Sequence, residues 1–284
     1  MDMQTNDKDD RQFPSSILPR DWDQPSAGNE KLCRLFMMNT YRGGNPDIPY
    51  RFYIPKGNDP VPLVVYLHGA DAIGRDNDLQ LSMHDIGTMF ARDDWQKKHP
   101  CFILAPQCTN RMHWSMPQVR DALQRLIECF VTANPRIDRR RIYLYGYSAG
   151  AVGLLEMLKE YPDYYAAAIS ICGATGPRHI EEISSTPLWL IHAADDRIVK
   201  ASYGDGTNVL SHYMGSRNIY ESMHDKSDGE LKYTEFPDGT MKEKYGVNPH
   251  CSWVAVSDPV NGQFGEWLFV HTNRRCSEKK GLKS

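Results

Sequence analysis

The five residues Gly146-Tyr147-Ser148-Ala149-Gly150 place one serine between two glycines. A serine hydroxyl is a weak nucleophile until a base removes its proton, and a sharp turn from a strand into a helix can present that hydroxyl above the edge of a sheet. Glycine is common here, with 21 among 284 residues, so the pattern alone is weak evidence. A nucleophilic Ser148 requires a strand before the turn, a helix after it, and an acid and then a histidine further along the chain.

The base for such a serine should be a histidine that follows it. The candidates beyond the acidic residues described below are His212, His224, His250 and His271. The hydrophilic stretch around His224 indicates a solvated side chain, and His212 falls in a short predicted helix. His271 ends the last predicted helix, where the free carbonyl groups alone favour a histidine. His250 follows the last predicted strand and precedes the last predicted helix, so we predict that His250 is the base.

The acid that orients the imidazole should end a strand between the serine and the histidine. The segment PLWLIHAADDRIV delivers two carboxylates, Asp195 and Asp196, at such a strand end. A carboxylate there would hold one tautomer of the base and stabilise its charged form. Spacing alone does not choose between the two aspartates, and either is also compatible with a solvated loop residue or a helix cap.

Backbone amides are the expected donors for the negative oxygen that forms when a serine attacks a carbonyl. A second turn at a strand end, YLHGA, offers the amide of Ala70, and the helix after Ser148 offers the amide of Ala149. His68 lies in this turn and precedes the serine, so we interpret it as a residue that shapes the loop. His192 precedes the acid in the same way, and we interpret it as structural too.

Apolar runs alternate with segments of helical period through most of the chain. Strands are predicted at residues 31–40, 50–55, 61–69, 101–107, 142–147, 165–173, 186–194 and 231–237. Helices are predicted at residues 86–98, 117–132, 149–161 and 258–270. Continuous runs such as VPLVVYL are typical of strands buried on both faces. This order predicts an α/β fold with a mostly parallel central sheet and helices on both faces.

Composition divides the chain into three parts. Residues 1–30 are rich in Asp, Asn, Pro and Ser and indicate an extended or mobile arm. Residues 31–274 are expected to form a single domain, followed by a polar tail at 275–284. Within the domain, residues 201–230 are poorly periodic and predict a surface excursion with a short helix near 207–214. An excursion of this kind is a candidate cap over a substrate site.

Charge and cysteine content restrict the class of partner. The net charge of −3 argues against nucleic acid or an anionic membrane. The polar start MDMQTNDKDDRQ lacks the apolar core of a secretory signal, and seven cysteines without regular spacing indicate free thiols, so we expect a cytoplasmic protein. The sequence contains no metal-ligand spacing such as H-E-x-x-H, and we expect neither a metal nor a cofactor.

Motifs in order along residues 61–270 resemble the α/β-hydrolase superfamily, within the bacterial carboxylesterases related to dienelactone hydrolases, polyhydroxybutyrate depolymerase-like esterases and feruloyl/acetyl-xylan esterases. The matching segments are LHGADAIGRDN, ILAPQC followed by HWS, DRRRIYLYGYSAGAVGLLEM, YPDYYAAAISICG, PLWLIHAADDRIV and NPHCSWVAVSDP. The resemblance assigns the acid to Asp196, where the family reads H-G-x-x-D-x-x-V, and it matches His250 to Trp253 with the family's H-x-x-W segment. One departure is Ala70-Asp71, where the family often has a second glycine after His-Gly.

This resemblance implies an α/β-hydrolase fold and a serine carboxylesterase that forms an acyl-enzyme on Ser148. Small or carbohydrate-linked esters, of the acetyl or feruloyl type, are the substrates it implies. We expect Trp114, Tyr147 and Trp253 to bind substrate, because aromatic rings stack on a cinnamoyl or sugar ring. The alternatives are a peptidase or acyltransferase with the same triad, and a non-catalytic binding protein on this scaffold.

Overall fold

The computed structural model describes residues 28–204, 213–227 and 230–273. Its centre is a sheet with strongly apolar strands. All seven residues of β3, Val61–Leu67, and all five of β4, Phe102–Pro106, are buried. A strand that is buried on both faces needs covering layers on both sides of the sheet, which is why continuous apolar runs predict this architecture.

Beside β3 and β4, the sheet contains β1 (Met37–Tyr41), β2 (Ile48–Tyr53), β5 (Ile137–Tyr147), β6 (Ala167–Ile171), β8 (Leu188–Ala193) and β10 (Leu231–Phe236). Its eight strands lie in the order β1-β2-β4-β3-β5-β6-β8-β10. β2 is antiparallel to both β1 and β4, and the remaining neighbours are parallel. A separate pair joins β7 (Ala174–Thr175) to β9 (Met214–Gly215). The carboxyl ends of the parallel strands therefore meet at one edge of the sheet, where α/β folds place their sites.

The α-helices of the described residues are α1 (Glu30–Cys33), α2 (Leu79–Ser82), α3 (Asp93–Lys98), α4 (Pro117–Ala133), α5 (Ala149–Glu160), α6 (Ser216–Met223), α7 (Thr240–Tyr245), α8 (Trp253–Ser257) and α9 (Gln263–Phe269). Turns of 3-10 helix cover Ala70–Ala72, Asp85–Ala91, Ile180–Ser185, Pro249–Cys251 and Pro259–Asn261. α4 begins at Pro117, whose fixed φ suits the first position of a helix. The mostly parallel sheet with its helices confirms the predicted α/β architecture.

Two apolar cores lie on the two faces of the sheet. Alternate residues of β3 belong to different cores, with Val64 and Tyr66 in one and Leu63, Val65 and Leu67 in the other. Side chains of α8 and α9 pack in the first core, and side chains of α4, α5 and α6 pack in the second. Side chains alternate along a strand with period two, so this alternation decides which helical layer each one meets.

Two predicted strands start elsewhere than expected. Residues 31–40 begin as the short helix α1, because the Asn29 side chain accepts a hydrogen bond from the Leu32 amide and caps it. The strand of this segment, β1, follows only after that helix. β5 begins before residue 142, because Ile137 already pairs with Val61 on β3. The strand is therefore longer at its start than the predicted residues 142–147.

Two predicted helices are interrupted. Residues 86–98 form a 3-10 turn and then α3, and residues 258–270 form the 3-10 turn Pro259–Asn261 and then α9, separated at Gly262. The short helix expected near 207–214 lies largely outside the described residues, as do the arm before residue 28 and the tail after 273. Met214 is described and lies in β9 rather than in a helix, and α6 follows it.

Candidate active site

Ser148 lies on the turn between β5 and α5. Its φ of 52° and ψ of −122° form a conformation that residues other than glycine rarely adopt. A Cβ atom at Gly150 would lie 2.0 Å from the Leu67 carbonyl oxygen, and one at Gly146 would lie 2.7 Å from the same oxygen. Glycine is therefore required on both sides of the serine by this close approach of α5 to β3. Ser148 itself is only partly buried at the edge of the sheet.

One chain of hydrogen bonds joins Ser148, His250 and Asp196. The Ser148 hydroxyl lies 2.9 Å from Nε2 of His250, and Nδ1 of His250 lies 2.7 Å from Oδ2 of Asp196. Because a carboxylate only accepts, Nδ1 donates to it, and Nε2 is left to accept from the serine hydroxyl. A general base requires this tautomer. The structure thus brings together the three residues to which the sequence analysis assigns nucleophile, base and acid.

Asp196, and not Asp195, faces this histidine. The other carboxylate oxygen of Asp196, Oδ1, accepts a hydrogen bond of 2.8 Å from the Ile198 amide, which fixes the side chain at the strand end. Asp195 turns away and accepts a hydrogen bond of 3.0 Å from the amide of Gly239. The backbone of the turn after β8 therefore decides which of the two neighbouring carboxylates meets His250.

His192 is a second histidine at the same carboxylate, and sequence reasoning missed this contact. Its Nε2 donates to the Val199 carbonyl at 2.7 Å and lies 3.3 Å from Oδ2 of Asp196. Burial by itself raises the pKa of Asp196, but the neighbouring His250 and His192 lower it well below its ordinary value. The sequence did hold one indication of this contact, because His192 lies three residues before the acidic pair. The alternation of side chains along a strand does not, however, show which neighbour each side chain contacts.

His250 is buried, with 3% of its surface exposed. Burial by itself lowers the pKa of His250, but Cys172 and Asp196 beside it raise that pKa well above its ordinary value. Burial also raises the pKa of the Cys172 thiol, so the thiol is uncharged at neutral pH. The Asp196 carboxylate is therefore the charge that stabilises the protonated imidazole.

Cys172 is the other neighbour that sequence reasoning missed. It follows β6 directly, at the edge of the sheet where the site lies, and its φ is 44°. Its sulfur and the ligand atoms of Asp196 and His250 all lie within 4.8 Å of one another, a grouping that could also hold a metal ion. A second such grouping, His179, Glu181 and Glu182, is exposed on the surface.

The predicted oxyanion donors both open helical turns. Ala70 is the first residue of the 3-10 turn after β3, and Ala149 is the first residue of α5. Amides at these positions have no acceptor within their own helix and point out of its positive end, which suits a developing negative charge. Ala70 is exposed and Ala149 is buried. Their joint role in binding an oxyanion stays a prediction.

The three aromatic residues expected to bind substrate are 1–2% exposed. Trp114 packs in the second core and donates from its indole nitrogen to the His68 carbonyl at 3.0 Å. Trp253 packs against Tyr147 in the first core, with ring centroids 4.2 Å apart and the ring planes tilted by 39°. In this conformation none of the three offers a surface to a ligand, so their contact with substrate stays a prediction.

Asp71 forms a contact beside the site that sequence reasoning did not foresee. Oδ1 of Asp71 accepts a hydrogen bond of 2.7 Å from the Tyr147 hydroxyl, and Oδ2 lies 2.5 Å from Nε2 of His84. The sequence held one indication of this contact: Asp71 follows Ala70, at the position where the chain departs from the family that it resembles. His84 carried no sequence signal, because nothing in the pattern of its own segment points to the turn after β3.

The remaining histidines lie outside the hydrogen-bonded chain. His68 is fully buried, and its Nε2 accepts a hydrogen bond of 2.9 Å from the Cys108 amide, as expected of a residue that shapes the loop. Burial lowers the pKa of His68 to about 4, which keeps it neutral. His224 is exposed after α6, and His271 donates to the Trp267 carbonyl after α9. His212 lies outside the described residues.

The chain is similar in structure to a thermostable esterase, with a TM-score of 0.75 and 32% sequence identity. The similarity covers 85% of this chain and 64% of the esterase, so the chain spans slightly less than two thirds of that protein. It also resembles the acylaminoacyl peptidase of Pyrococcus horikoshii, with a TM-score of 0.59, 16% identity, and coverage of 84% of this chain and 42% of the peptidase. At that identity the second likeness shows the fold alone.

A third structure is an α/β serine hydrolase without a lid from Xanthomonas campestris. It has a TM-score of 0.47, 16% identity, and coverage of 72% of this chain and 84% of its own, which is too distant to support an argument. No protein-family model and no curated protein sequence matches the chain. Within residues 28–204, 213–227 and 230–273, none of the helices has the length and apolar character that a membrane span requires.

Proposed function

We propose that this chain, a member of the α/β-hydrolase superfamily, is a serine carboxylesterase. The observation that carries the proposal is the hydrogen-bonded chain from Ser148 through His250 to Asp196, with distances of 2.9 Å and 2.7 Å. It lies at the carboxyl edge of the parallel strands, on a turn whose serine has a positive φ. The likeness to a thermostable esterase supports the choice of an ester bond.

In the proposed reaction, Ser148 attacks the ester carbonyl while Nε2 of His250 accepts its proton. The tetrahedral intermediate collapses to an acyl-enzyme, and His250 gives the proton to the leaving alcohol. Water then attacks the acyl group, again with His250 as the base, and the acid and free Ser148 are released. Asp196 stays ionised throughout, because its task is to hold the imidazole and to stabilise the positive charge that the imidazole gains.

The amides of Ala70 and Ala149 are the proposed donors to the oxyanion of each tetrahedral intermediate. Loss of one donor of this kind typically costs about 10²–10³ in rate, so their placement contributes substantially to the rate. No metal or cofactor is needed in this scheme, because a serine, a histidine and an aspartate supply nucleophile, base and orientation.

For substrate, we propose small or carbohydrate-linked esters of the acetyl or feruloyl type, on the resemblance of the sequence motifs. The partial exposure of Ser148 supports access for such molecules. A peptidase is the second candidate, because the acylaminoacyl peptidase shares the fold, although this chain covers only 42% of that protein. An acyltransferase and a non-catalytic binding protein are the remaining outcomes of the test.

The test measures initial rates on p-nitrophenyl esters from acetyl to long acyl chains, methyl ferulate, acetylated xylan and an acylaminoacyl p-nitroanilide. Ser148→Ala should lower kcat by about 10⁶-fold where the wild type is active. Ser222→Ala is the matched control, because its hydroxyl donates to the Ile219 carbonyl within α6, away from the hydrogen-bonded chain. A fluorophosphonate should label the wild type and not His250→Ala. A folded wild-type protein that is not labelled by the fluorophosphonate and turns over no ester would contradict the esterase proposal. Turnover of the anilide alone would favour the peptidase.

A further inference from the structure

We propose that Asp71 is a positioning residue for the oxyanion side of the site. Its carboxylate holds the turn that carries Ala70 against the turn that carries Ser148. The inference rests on the proposed function, because it concerns the alignment of an amide donor with the attacking serine. Nothing in the hydrogen-bonded chain of serine, histidine and Asp196 requires a second carboxylate here.

The contacts of Asp71 join the two turns directly. Asp71 follows Ala70 in the chain, and Tyr147 precedes Ser148. The Tyr147 hydroxyl donates to Oδ1 of Asp71 at 2.7 Å, across 76 positions of sequence. One hydrogen bond therefore links the residue after a predicted oxyanion donor to the residue before the nucleophile.

The other carboxylate oxygen secures the carboxylate itself. Nε2 of His84 lies 2.5 Å from Oδ2 of Asp71, and the His84 side chain is 4% exposed. Burial by itself raises the pKa of Asp71, but His84 and the Tyr147 hydroxyl lower it below its ordinary value, so the group stays ionised. A carboxylate accepts both hydrogen bonds, and the side chain of Asp71 is 15% exposed, so little solvent competes for them.

The fit around this carboxylate leaves the turn little freedom. A Cβ atom at Gly69 would lie 2.4 Å from the ring of Tyr147 and 2.9 Å from Oδ1 of Asp71. The Tyr147 ring therefore packs directly on the backbone that leads into Ala70. A shift of this ring or of the carboxylate would move the amide that the proposal assigns to the oxyanion.

The same cluster reaches the base. The His84 ring lies 5.1 Å from Trp253 and 5.5 Å from Tyr147, measured between ring centroids. Trp253 in turn lies 4.2 Å from Tyr147 and meets His250 edge-on at 5.7 Å. Asp71 is thus the charged centre of a packed group that contacts both the residue before the serine and the histidine.

An oxyanion donor acts mainly in the transition state, so a displaced donor should lower kcat and leave KM nearly unchanged. Displacement by about 1 Å can cost about 10²-fold in rate. We therefore expect Asp71→Ala to lower kcat by about 10- to 100-fold on p-nitrophenyl acetate, with KM within about threefold of the wild type. Asp71→Asn keeps an acceptor for Tyr147, and its amide can donate to Nε2 of His84 once the ring carries its proton on Nδ1, so it should retain most of kcat.

The experiment measures kcat and KM for wild type, Asp71→Ala, Asp71→Asn and Tyr147→Phe, with inhibition by a trifluoromethyl ketone as a probe of the tetrahedral state. Asp76→Ala is the matched control, since Asp76 lies in the same loop but accepts hydrogen bonds from the amides of Asp78 and Leu79 and from the Gln107 side chain rather than from Tyr147 or His84. Thermal melting of every variant separates loss of fold from loss of alignment. Inhibitor affinity should fall with kcat in Asp71→Ala and should be kept in Asp76→Ala. Tyr147→Phe, which removes only the hydroxyl, should lower kcat in the same direction and tests the idea if Asp71→Ala does not fold.

Either of two results would overturn the inference while the esterase proposal stands. The first is wild-type turnover with an unchanged kcat in Asp71→Ala or, if that variant does not fold, in Tyr147→Phe. The second is an equal loss of kcat in Asp71→Asn and Asp71→Ala, because charge and not the hydrogen bonds would then carry the effect. A wild type that turns over no ester overturns the proposed function and this inference with it.

Discussion

At the scale of single residues, one carboxylate sets the pKa and the orientation of His250, the proposed base. Asp196 is held by the Ile198 amide and by His192, and it presents its second oxygen to His250 at 2.7 Å. The imidazole must be neutral to accept the Ser148 proton, yet the carboxylate favours its charged form. The same contact that orients the base therefore moves its titration to higher pH.

This arrangement makes a prediction about pH dependence. A charged His250 is inactive, so kcat/KM should fall as pH is lowered through the pKa of His250, which is raised above its ordinary value. Asp196→Asn removes the charge that raises this pKa. The acidic limb of the pH–rate profile of this variant should move to lower pH, and its rate at the pH optimum should fall by about 10⁴. Rates measured from pH 5 to 10 on p-nitrophenyl acetate, roughly the span that brackets an ordinary imidazole, test both effects.

The neighbouring acid supplies the control. Asp195→Asn changes the same strand end but affects a carboxylate that bonds the Gly239 amide, so its pH profile should match the wild type. An acidic limb that stays in place in Asp196→Asn, or one that shifts equally in Asp195→Asn, would contradict the assignment of the acid.

At the scale of elements, the turn between β5 and α5 depends on a contact with β3. The Leu67 carbonyl oxygen occupies the space that side chains at both flanking glycines would fill. The positive φ of Ser148 is maintained by the strand before it and the helix after it, since an isolated turn would relax. Ser148, the proposed nucleophile, is therefore held in place by three elements together and not by its own turn alone.

We predict that Gly150→Ala disturbs this turn. The added Cβ would lie 2.0 Å from the Leu67 oxygen, so strand and helix must separate. Overpacking of this kind costs about 1–3 kcal/mol or more of unfolding free energy, and we expect ester turnover to fall along with it. Gly262→Ala is the control, because its nearest neighbour would lie 3.6 Å away. Chemical denaturation should show a loss in the first variant and almost none in the second; equal stability of the two would contradict this account.

At the scale of the whole molecule, the two cores decide which aromatic side chains are available to a ligand. Trp114 lies in the second core and packs tightly on α5. A Cβ atom added at Gly153 of α5 would lie only 2.2 Å from the Cβ atom of Trp114. Tyr147 and Trp253 lie in the first core, on the other face of the sheet. The sheet therefore separates residues that the sequence analysis grouped as one aromatic set.

Substitution of Trp114 distinguishes a core role from a substrate role. Trp114→Ala should lower the free energy of unfolding by about 3–5 kcal/mol, because it empties a fully buried site. Below its melting temperature, KM for a small ester should stay within about threefold of the wild type. Denaturation and steady-state kinetics on the same preparation measure both. If Trp114→Ala kept its stability and showed a large rise in KM, the result would support a substrate-binding role for Trp114.

Much of the site was predictable from local sequence. The apolar runs and helical periods place Ser148 after a strand and before a helix, and they place His250 after the last strand, because both signals depend on residues a few positions apart. The choice of Asp196 over Asp195 came from the resemblance and not from spacing. The structure supplies the reason, since the turn after β8 aims the two carboxylates in different directions.

The sequence by itself determined the mostly parallel sheet, the serine and histidine that meet at its edge, and an acid narrowed to Asp195 or Asp196. Only the tertiary structure decided what surrounds them: the contact of Asp71 with Tyr147 and His84, the approach of His192 and Cys172, and the burial of the aromatic residues. The reason is physical, because period and spacing report which face of an element is apolar. They do not report which distant segment covers that face, since packing across the sheet selects those partners.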